Sequence, residues 1–298
     1  MMIRNMMINL NNNLSRLDKV QQQMATGKKI RVPSDDPIVA SRALKFRTNV
    51  SEIEQFQKNT EDALSWLETT EQALENLENV VQRARELTVQ AANGTLDDDD
   101  KQKIKAEISQ LKNSVVEIGN STYAGRYIFA GFRTDAPPFD VDMSGNLNYQ
   151  GNAINSSPTG QKIVYEIGVG NRIQVNVEGY ELFWDGANER IFKSFTDLEA
   201  AIDSGNEDQI SSLIGEFDKD VDQLLKVRAD IGGRVNYLEL TKNRLENDYV
   251  NFTGLMSKNE DADMAEVIMK LKNEENVYRA SLSAGARIIQ PTLVDFIK

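Results

Sequence analysis

In residues 210–256, ISSLIGEFDKDVDQLLKVRADIGGRVNYLELTKNRLENDYVNFTGLM, apolar side chains recur four and three positions apart. The ladder runs Ile210, Ile214, Phe217, Val221, Leu224, Arg228, Ile231, Val235, Leu238, Lys242, Leu245, Tyr249, Phe252 and Met256, and only Arg228 and Lys242 depart from it. A stripe repeating every 3.5 residues is a helix seam that needs a partner helix along its whole length. At the α-helical rise it predicts a rod of roughly 70 Å. The pair Gly232-Gly233 falls inside the rod, at a bend or a point of close backbone approach, or as tolerated helix glycine.

The partners lie upstream. Residues 38–92 carry Ile53, Phe56, Leu64, Leu67, Leu74, Leu77, Val81, Ala84, Leu87 and Ala91, and Asn93-Gly94 closes that helix. Asp97–Asp100 opens the next with four acids at the positive end of its dipole. Ile104, Ile108, Leu111, Val115 and Ile118 then make another ladder, which pairs antiparallel with the preceding helix across the turn at 93–97.

Both ends of the chain carry weaker ladders. The first is Ile3, Met7, Leu10, Leu14, Leu17, Gln21 and Met24, stopped at Gly27. The last is Met264, Ile268, Leu271, Glu275, Tyr278, Leu282, Gly285, Ile289, Thr292 and Phe296. Between the first helix and the second lies a connector, GKKIRVPSDDP at 27–37, which Pro33 and Pro37 keep out of a continuous helix. Asp35 and Asp36 read as capping residues in preference to a metal pair, with Pro37 as the first helical residue. A second connector is expected at the polar run 257–262.

From 123 to 195 the period changes to two. Ile163, Tyr165 and Ile167 alternate with polar or exposed positions, 168–171 turns the chain, and Ile173, Val175 and Val177 alternate again, which predicts a β-hairpin with one buried face. Shorter strands are expected at 127–129, 147–149, 182–184 and 190–192, then a short helix at 196–203. Five segments follow: a terminal helix with its connector (1–37), rod helices (38–122), a β-rich insertion (123–195), the C-terminal rod (196–256), and a connector with the last helix (257–298). The fold is mainly α with a β insertion, an antiparallel coiled-coil bundle that doubles back. Both terminal helices sit at one pole and the small β domain lies towards the other.

Composition narrows the function. The 298 residues include no Cys and no His, which excludes thiolate and imidazole chemistry, Cys/His zinc sites and a Ser-His-Asp triad. No nucleophile–base pairing, metal-ligand spacing or nucleotide loop is present, so no enzyme, catalytic residue or cofactor is expected. A net charge of −12 argues against nucleic acid as a partner. The charge is uneven: residues 1–50 hold nine Lys/Arg against three Asp, which reads either as a basic end that favours head-to-tail association of copies or as an ordinary solvated helix face. The sequence has neither a membrane-length apolar run nor the apolar core of a cleaved signal.

These residues resemble the flagellin superfamily. The segment 84–131, ARELTVQAANGTLDDDDKQKIKAEISQLKNSVVEIGNSTYAGRYIFAG, is similar to its N-terminal rod signature, and RADIGGRVNYLE at 228–239 to the C-terminal counterpart. PSDDP at 33–37, YIFAG at 127–131, YQGN at 149–152 and QPTLVDF at 290–296 resemble the hook–filament junction branch more than filament flagellins. The resemblance implies an exported structural subunit of the flagellum, joining hook to filament. By it, helices 1–30 and 262–298 line an inner tube and the β domain projects outward. The implied partners are hook-associated protein 1, flagellin, further copies in a ring, and a cytoplasmic export chaperone over the last helix; type III export would account for the missing signal. The assembly residues would be Met7, Leu10, Leu14, Leu17, Met24, Met264, Ile268, Leu271, Tyr278, Leu282, Ile289 and Phe296, with Pro33, Asp35, Asp36 and Pro37 in the connector. Because narrow-striped helices of this length are marginal alone, the ends are expected to order as neighbours bury them. The other readings are a minor flagellin, a coiled-coil adaptor, and an adhesin stacking sugars on Tyr180 and Trp184, although Trp184 beside Phe183 reads first as core.

Overall fold

A computed structural model describes residues 2–93, 97–143, 145–153, 159–184 and 189–289. Seven helices and seven short strands appear among them: α1 (Met2–Thr26), α2 (Pro37–Ala91), α3 (Asp98–Gly119), β1 (Thr122–Tyr123), β2 (Arg126–Tyr127), β3 (Phe139–Val141), β4 (Leu147–Tyr149), β5 (Asn152–Ala153), β6 (Val164–Gly168), β7 (Asn171–Gln174), α4 (Gly179–Phe183), α5 (Phe192–Ser204), α6 (Glu207–Glu260) and α7 (Met264–Ile289). The chain is mainly α with a small β part, as its periodicities require. It divides into two compact units, 55–246 and a second made of 1–54 with 247–298.

In the 55–246 unit, α2, α3, α5 and α6 share one core. Leu67, Leu74, Val81 and Ala84 of α2 are fully buried, as are Ile210, Phe217, Leu224, Ile231 and Leu238 of the α6 ladder. Ion pairs fix the antiparallel registers: Arg85–Asp218 and Lys242–Glu61 between α2 and α6, Arg83–Glu107 between α2 and α3, Lys112–Glu199 and Lys105–Asp203 between α3 and α5. The two breaks in the α6 ladder are thereby explained. Arg228 reaches Glu71 at 2.7 Å and also Glu78, so both breaks pair with α2 carboxylates across the seam. The helix passes through Gly232-Gly233 without interruption, and no atom lies within 4 Å of where either would carry a Cβ. No close approach is built there.

Among the described residues the β part forms three separate antiparallel sheets, β1-β2, β3-β4-β5 and β6-β7. In the predicted hairpin Tyr165 pairs with Ile173, and Ile167, Ile173, Val175 and Val177 are buried on one face. The strand expected at 127–129 is confined to β2, and that at 190–192 gives way to the start of α5. The strand expected at 182–184 is instead the single helical turn α4: Leu182 and Phe183 both go into the core, which alternation would have forbidden. The YQGN motif is the tight turn of β4-β5, with Gln150 and Gly151 both at positive φ. It locks onto YIFAG: Tyr149 Oη donates to the Phe129 carbonyl at 2.9 Å and Gln150 Nε2 to that of Ala130 at 2.7 Å. Burial pushes the Tyr149 hydroxyl up to about 12. The Phe139 ring fills the space beside Gly119 and Gly179, where a Cβ would collide with it.

In the other unit, the rod continues as helix to Glu260, so the break expected at 257–262 shrinks to 261–263. No helix breaker occupies 257–260. Asp263 Oδ1 then accepts the Ala265 and Glu266 N–H groups and starts α7.

Candidate assembly interface

α1 and α7 pack antiparallel against each other. Asn13 Nδ2 donates to Ser281 Oγ at 2.8 Å, Arg16 faces Glu274 at 3.5 Å, and Met6 lies over Gly285. The core of the pair is small: Leu17, Val20, Val267 and Leu271, with Ala262 and Tyr278 against them.

The inward line on α1 is Met6, Leu10, Asn13, Leu17 and Val20, and on α7 Val267, Leu271, Glu274, Tyr278, Ser281 and Gly285. Each is a four-three ladder that overlaps the expected one, sharing Leu10 and Leu17 on α1 and Leu271, Tyr278 and Gly285 on α7. Leu17 and Leu271 are accordingly buried, and Leu10 and Tyr278 half-buried. The rest of the expected seam points outward: Met7 is 59% exposed, Leu14 45%, Met24 40%, Met264 40%, Ile268 49% and Leu282 45%. The side chain of Ile289 and the whole of Phe296 lie outside the described residues.

The outward residues have a simple geometry. Met7 and Leu14 each follow an inward residue, Met6 and Asn13, by one position; Ile268 and Leu282 follow Val267 and Ser281 in the same way. The outward line is therefore turned from the inward line in the same sense on both helices, by roughly 100° for one residue. In an antiparallel pair, turns of the same sense bring both lines to the same side. Met7, Leu14, Ile268 and Leu282 thus form one apolar strip across the two helices. Burying each of these side chains is worth on the order of 1–2 kcal/mol, given that each is about half exposed already.

The connector is tied down. Gly27, at φ 68, ends α1. Backbone bonds Lys29 N–Glu260 O (2.7 Å) and Ala262 N–Gly27 O (2.8 Å) then join it to the end of α6. Lys28 Nζ lies 2.6 Å from Asp261 and 3.4 Å from the buried Glu260, which Arg47 of α2 also holds. These bonds hold the Glu260 and Asp261 carboxyls below the usual range, Glu260 chiefly through Arg47 and Asp261 through Lys28. The bond to Asp261 raises Lys28. Asp36 Oδ1 caps α2 by accepting from Ile38 and Val39. Asp35 Oδ2 accepts from Arg31 and Val32, and those two bonds, with Lys19, lower its pKa. Pro33, Asp35 and Pro37 are exposed and Asp36 half-buried.

Sequence reasoning missed Asn13, Val20, Val267 and Ser281 because the competing ladder is the more apolar one. It missed the clasp of Lys28, Arg47, Glu260 and Asp261 because charged residues so far apart in sequence carry no signal of proximity.

Residues 1–134 match the family described as the bacterial flagellin N-terminal helical region. The chain is 34% identical over 146 residues to flagellar hook-associated protein 3 of Salmonella typhimurium, covering 49% of this chain and 46% of that protein. It is 26% identical to flagellar hook-associated protein 3 of Escherichia coli over 95% of this chain and 94% of that one. Among solved structures, Bacillus cereus FlgL superposes with a TM-score of 0.59 at 25% identity, covering 72% of this chain and 99% of that chain. Residues 1–134 are thus similar to the bacterial flagellin N-terminal helical region, and the chain as a whole is similar to flagellar hook-associated protein 3.

Proposed function

We propose that this chain is a structural subunit of the bacterial flagellum, placed at the junction of hook and filament, and that the apolar strip on α1 and α7 is its assembly face. The observation that carries this reading is the double use of each terminal helix. One ladder is consumed by the α1–α7 pair, and the apolar residues of the second that the pair does not share, Met7, Leu14, Ile268 and Leu282, stand about half exposed on a single side. A strip of this kind is a surface in need of a partner.

The partners are further copies of the chain in a ring, hook-associated protein 1 on one side and flagellin on the other. The core of the pair rests on four buried side chains, so the pair is easily opened. That suits passage through a narrow type III export channel, with a chaperone covering α7 beforehand and ordering completed when neighbours bury the strip. The expected five-segment organisation serves this scheme, with α1 and α7 innermost.

A strain lacking the chain tests the reading: it should keep its hooks and release unpolymerised flagellin into the medium. Filaments of normal length on such cells would contradict it. The alternative of a minor flagellin predicts that the purified chain polymerises alone into long fibres, whereas the junction reading predicts that it does not.

A further inference from the structure

The two faces of α4 are put to different uses. Leu182 and Phe183 are buried in the core of the 55–246 unit, while Tyr180 and Trp184, four residues apart, remain partly exposed on the other side. Their ring centroids lie 6.4 Å apart and their planes are inclined by 36°, so the rings form a shallow platform two residues wide. Opposite stands α6, which presents Gln223, Lys226, Val227, Asp230 and Arg234 along one ridge. The groove between them holds about 570 Å³, within the range of small-ligand sites.

The polar side of this groove is already oriented. Gln223 Nε2 donates to the Glu181 carbonyl at 3.1 Å, which leaves its carboxamide oxygen as an acceptor. Arg234 donates to the carbonyls of Gln174 (3.2 Å) and Asn176 (3.4 Å) and pairs with Asp230 at 2.5 Å, so the guanidinium is held in one place with donors to spare. Trp184 is itself fixed by its bridge to Glu189 and by its N–H bond to the Tyr180 carbonyl. Glu181 and Asp230 balance Lys226 and Arg234 in charge. A shallow aromatic floor, donors and acceptors on the facing wall, and no net charge are what a neutral ring bearing many hydroxyls requires. An anion would meet two carboxylates there, and a cation two bases.

We propose that the α4–α6 groove is a binding site for a neutral saccharide, stacked on Tyr180 and Trp184 and hydrogen-bonded by Gln223, Asp230 and Arg234. The site lies apart from α1 and α7 in sequence and uses none of the residues assigned to assembly.

The chain has two tryptophans, Trp66 and Trp184, so Trp66→Phe makes Trp184 the sole indole reporter. That variant is titrated with maltotriose, cellotriose and chitotriose while Trp184 emission is followed, and saturation-transfer NMR on the unsubstituted chain gives an independent reading. At least one trisaccharide should give a saturable emission change. Tyr180→Ala and the surface change Gln223→Ala, each checked for native circular dichroism, should weaken it by about tenfold, the equivalent of one lost hydrogen bond or stacking contact. The proposal is overturned if no trisaccharide gives a signal by either method, or if the signal survives unchanged in Gln223→Ala. It is also overturned if a tripeptide or a sugar phosphate titrates as tightly as the neutral sugars.

Discussion

Glu260, in the last turn of α6, receives both Nε and Nη2 of Arg47, at 2.9 and 2.7 Å, while its carboxyl is almost wholly enclosed. The pair joins α2 to α6 inside the unit that contains the terminal helices. Glu260→Gln keeps the shape and removes the charge, and should destabilise that unit by about 1–3 kcal/mol. Glu260 and Asp261 are depressed below their ordinary values, so their contribution is full above the unfolded carboxylate pKa and lost as pH falls through the folded one. Lys28 is raised, so its share is full below its unfolded pKa and is lost only as pH climbs through the raised value. Urea titrations from neutral to acid pH check this: the gap between wild type and Glu260→Gln should close as the solution is acidified.

Asp220 shows the opposite behaviour. It is fully buried, takes a 2.5 Å hydrogen bond from Ser194 Oγ, and is pushed up to about 6 by burial. Its Oδ1 has no hydrogen-bond partner among the described residues. A raised carboxyl costs stability wherever it is ionised, so the penalty is fully present above pH 6 and absent below the unfolded value. Asp220→Asn should therefore stabilise the chain at pH 8 by about 2–3 kcal/mol at most. The gain should fade between pH 6 and pH 4, a pattern that thermal melts across this range resolve.

Arg228 pairs with two α2 carboxylates from a position where the ladder calls for an apolar residue. Arg228→Met should cost about 1–3 kcal/mol, because Glu78 is left mostly buried without its cation. Adding Glu78→Gln should recover part of that loss. A double-mutant cycle in guanidinium chloride would give a coupling above about 0.5 kcal/mol if the pair acts as described.

Gly179 sits where a Cβ would press on the rings of Phe139 and Tyr149. Both rings are buried and face one another at 5.3 Å, so neither has room to yield. Gly179→Ala should destabilise the 55–246 unit by about 1–3 kcal/mol. Gly233→Ala, with open space around it, should be neutral or stabilising by about 1 kcal/mol. Melting temperatures of the two variants separate these outcomes.

The rod helices were legible because α3 and α6 follow four-three ladders, with the two α6 exceptions paired to α2, and α2 follows the same period with buried Thr60 and Thr70 in its gaps. The β6-β7 hairpin was legible for the same reason at period two. Where two ladders compete on one helix, as on α1 and α7, apolar content points to the stripe that neighbours would bury. Packing within the chain instead selects the stripe that accommodates Asn13 and Ser281, which bond to each other. Short apolar runs also mislead: Leu182–Trp184 reads as a strand, yet one helical turn buries Leu182 and Phe183 side by side. The Glu260 clasp depends on residues more than 200 positions apart, and nothing local announces it.

In the proposed function the outward strip of Met7, Leu14, Ile268 and Leu282 serves assembly, and its half-exposed side chains contribute little to the fold of the isolated chain. Leu14→Glu and Ile268→Glu, introduced together and expressed in a strain lacking the native copy, test it in one measurement of filament number per cell by electron microscopy. The account predicts that the purified double variant melts and gives circular dichroism like wild type, while the cells carry hooks without filaments. Normal filaments on cells making the variant would contradict it.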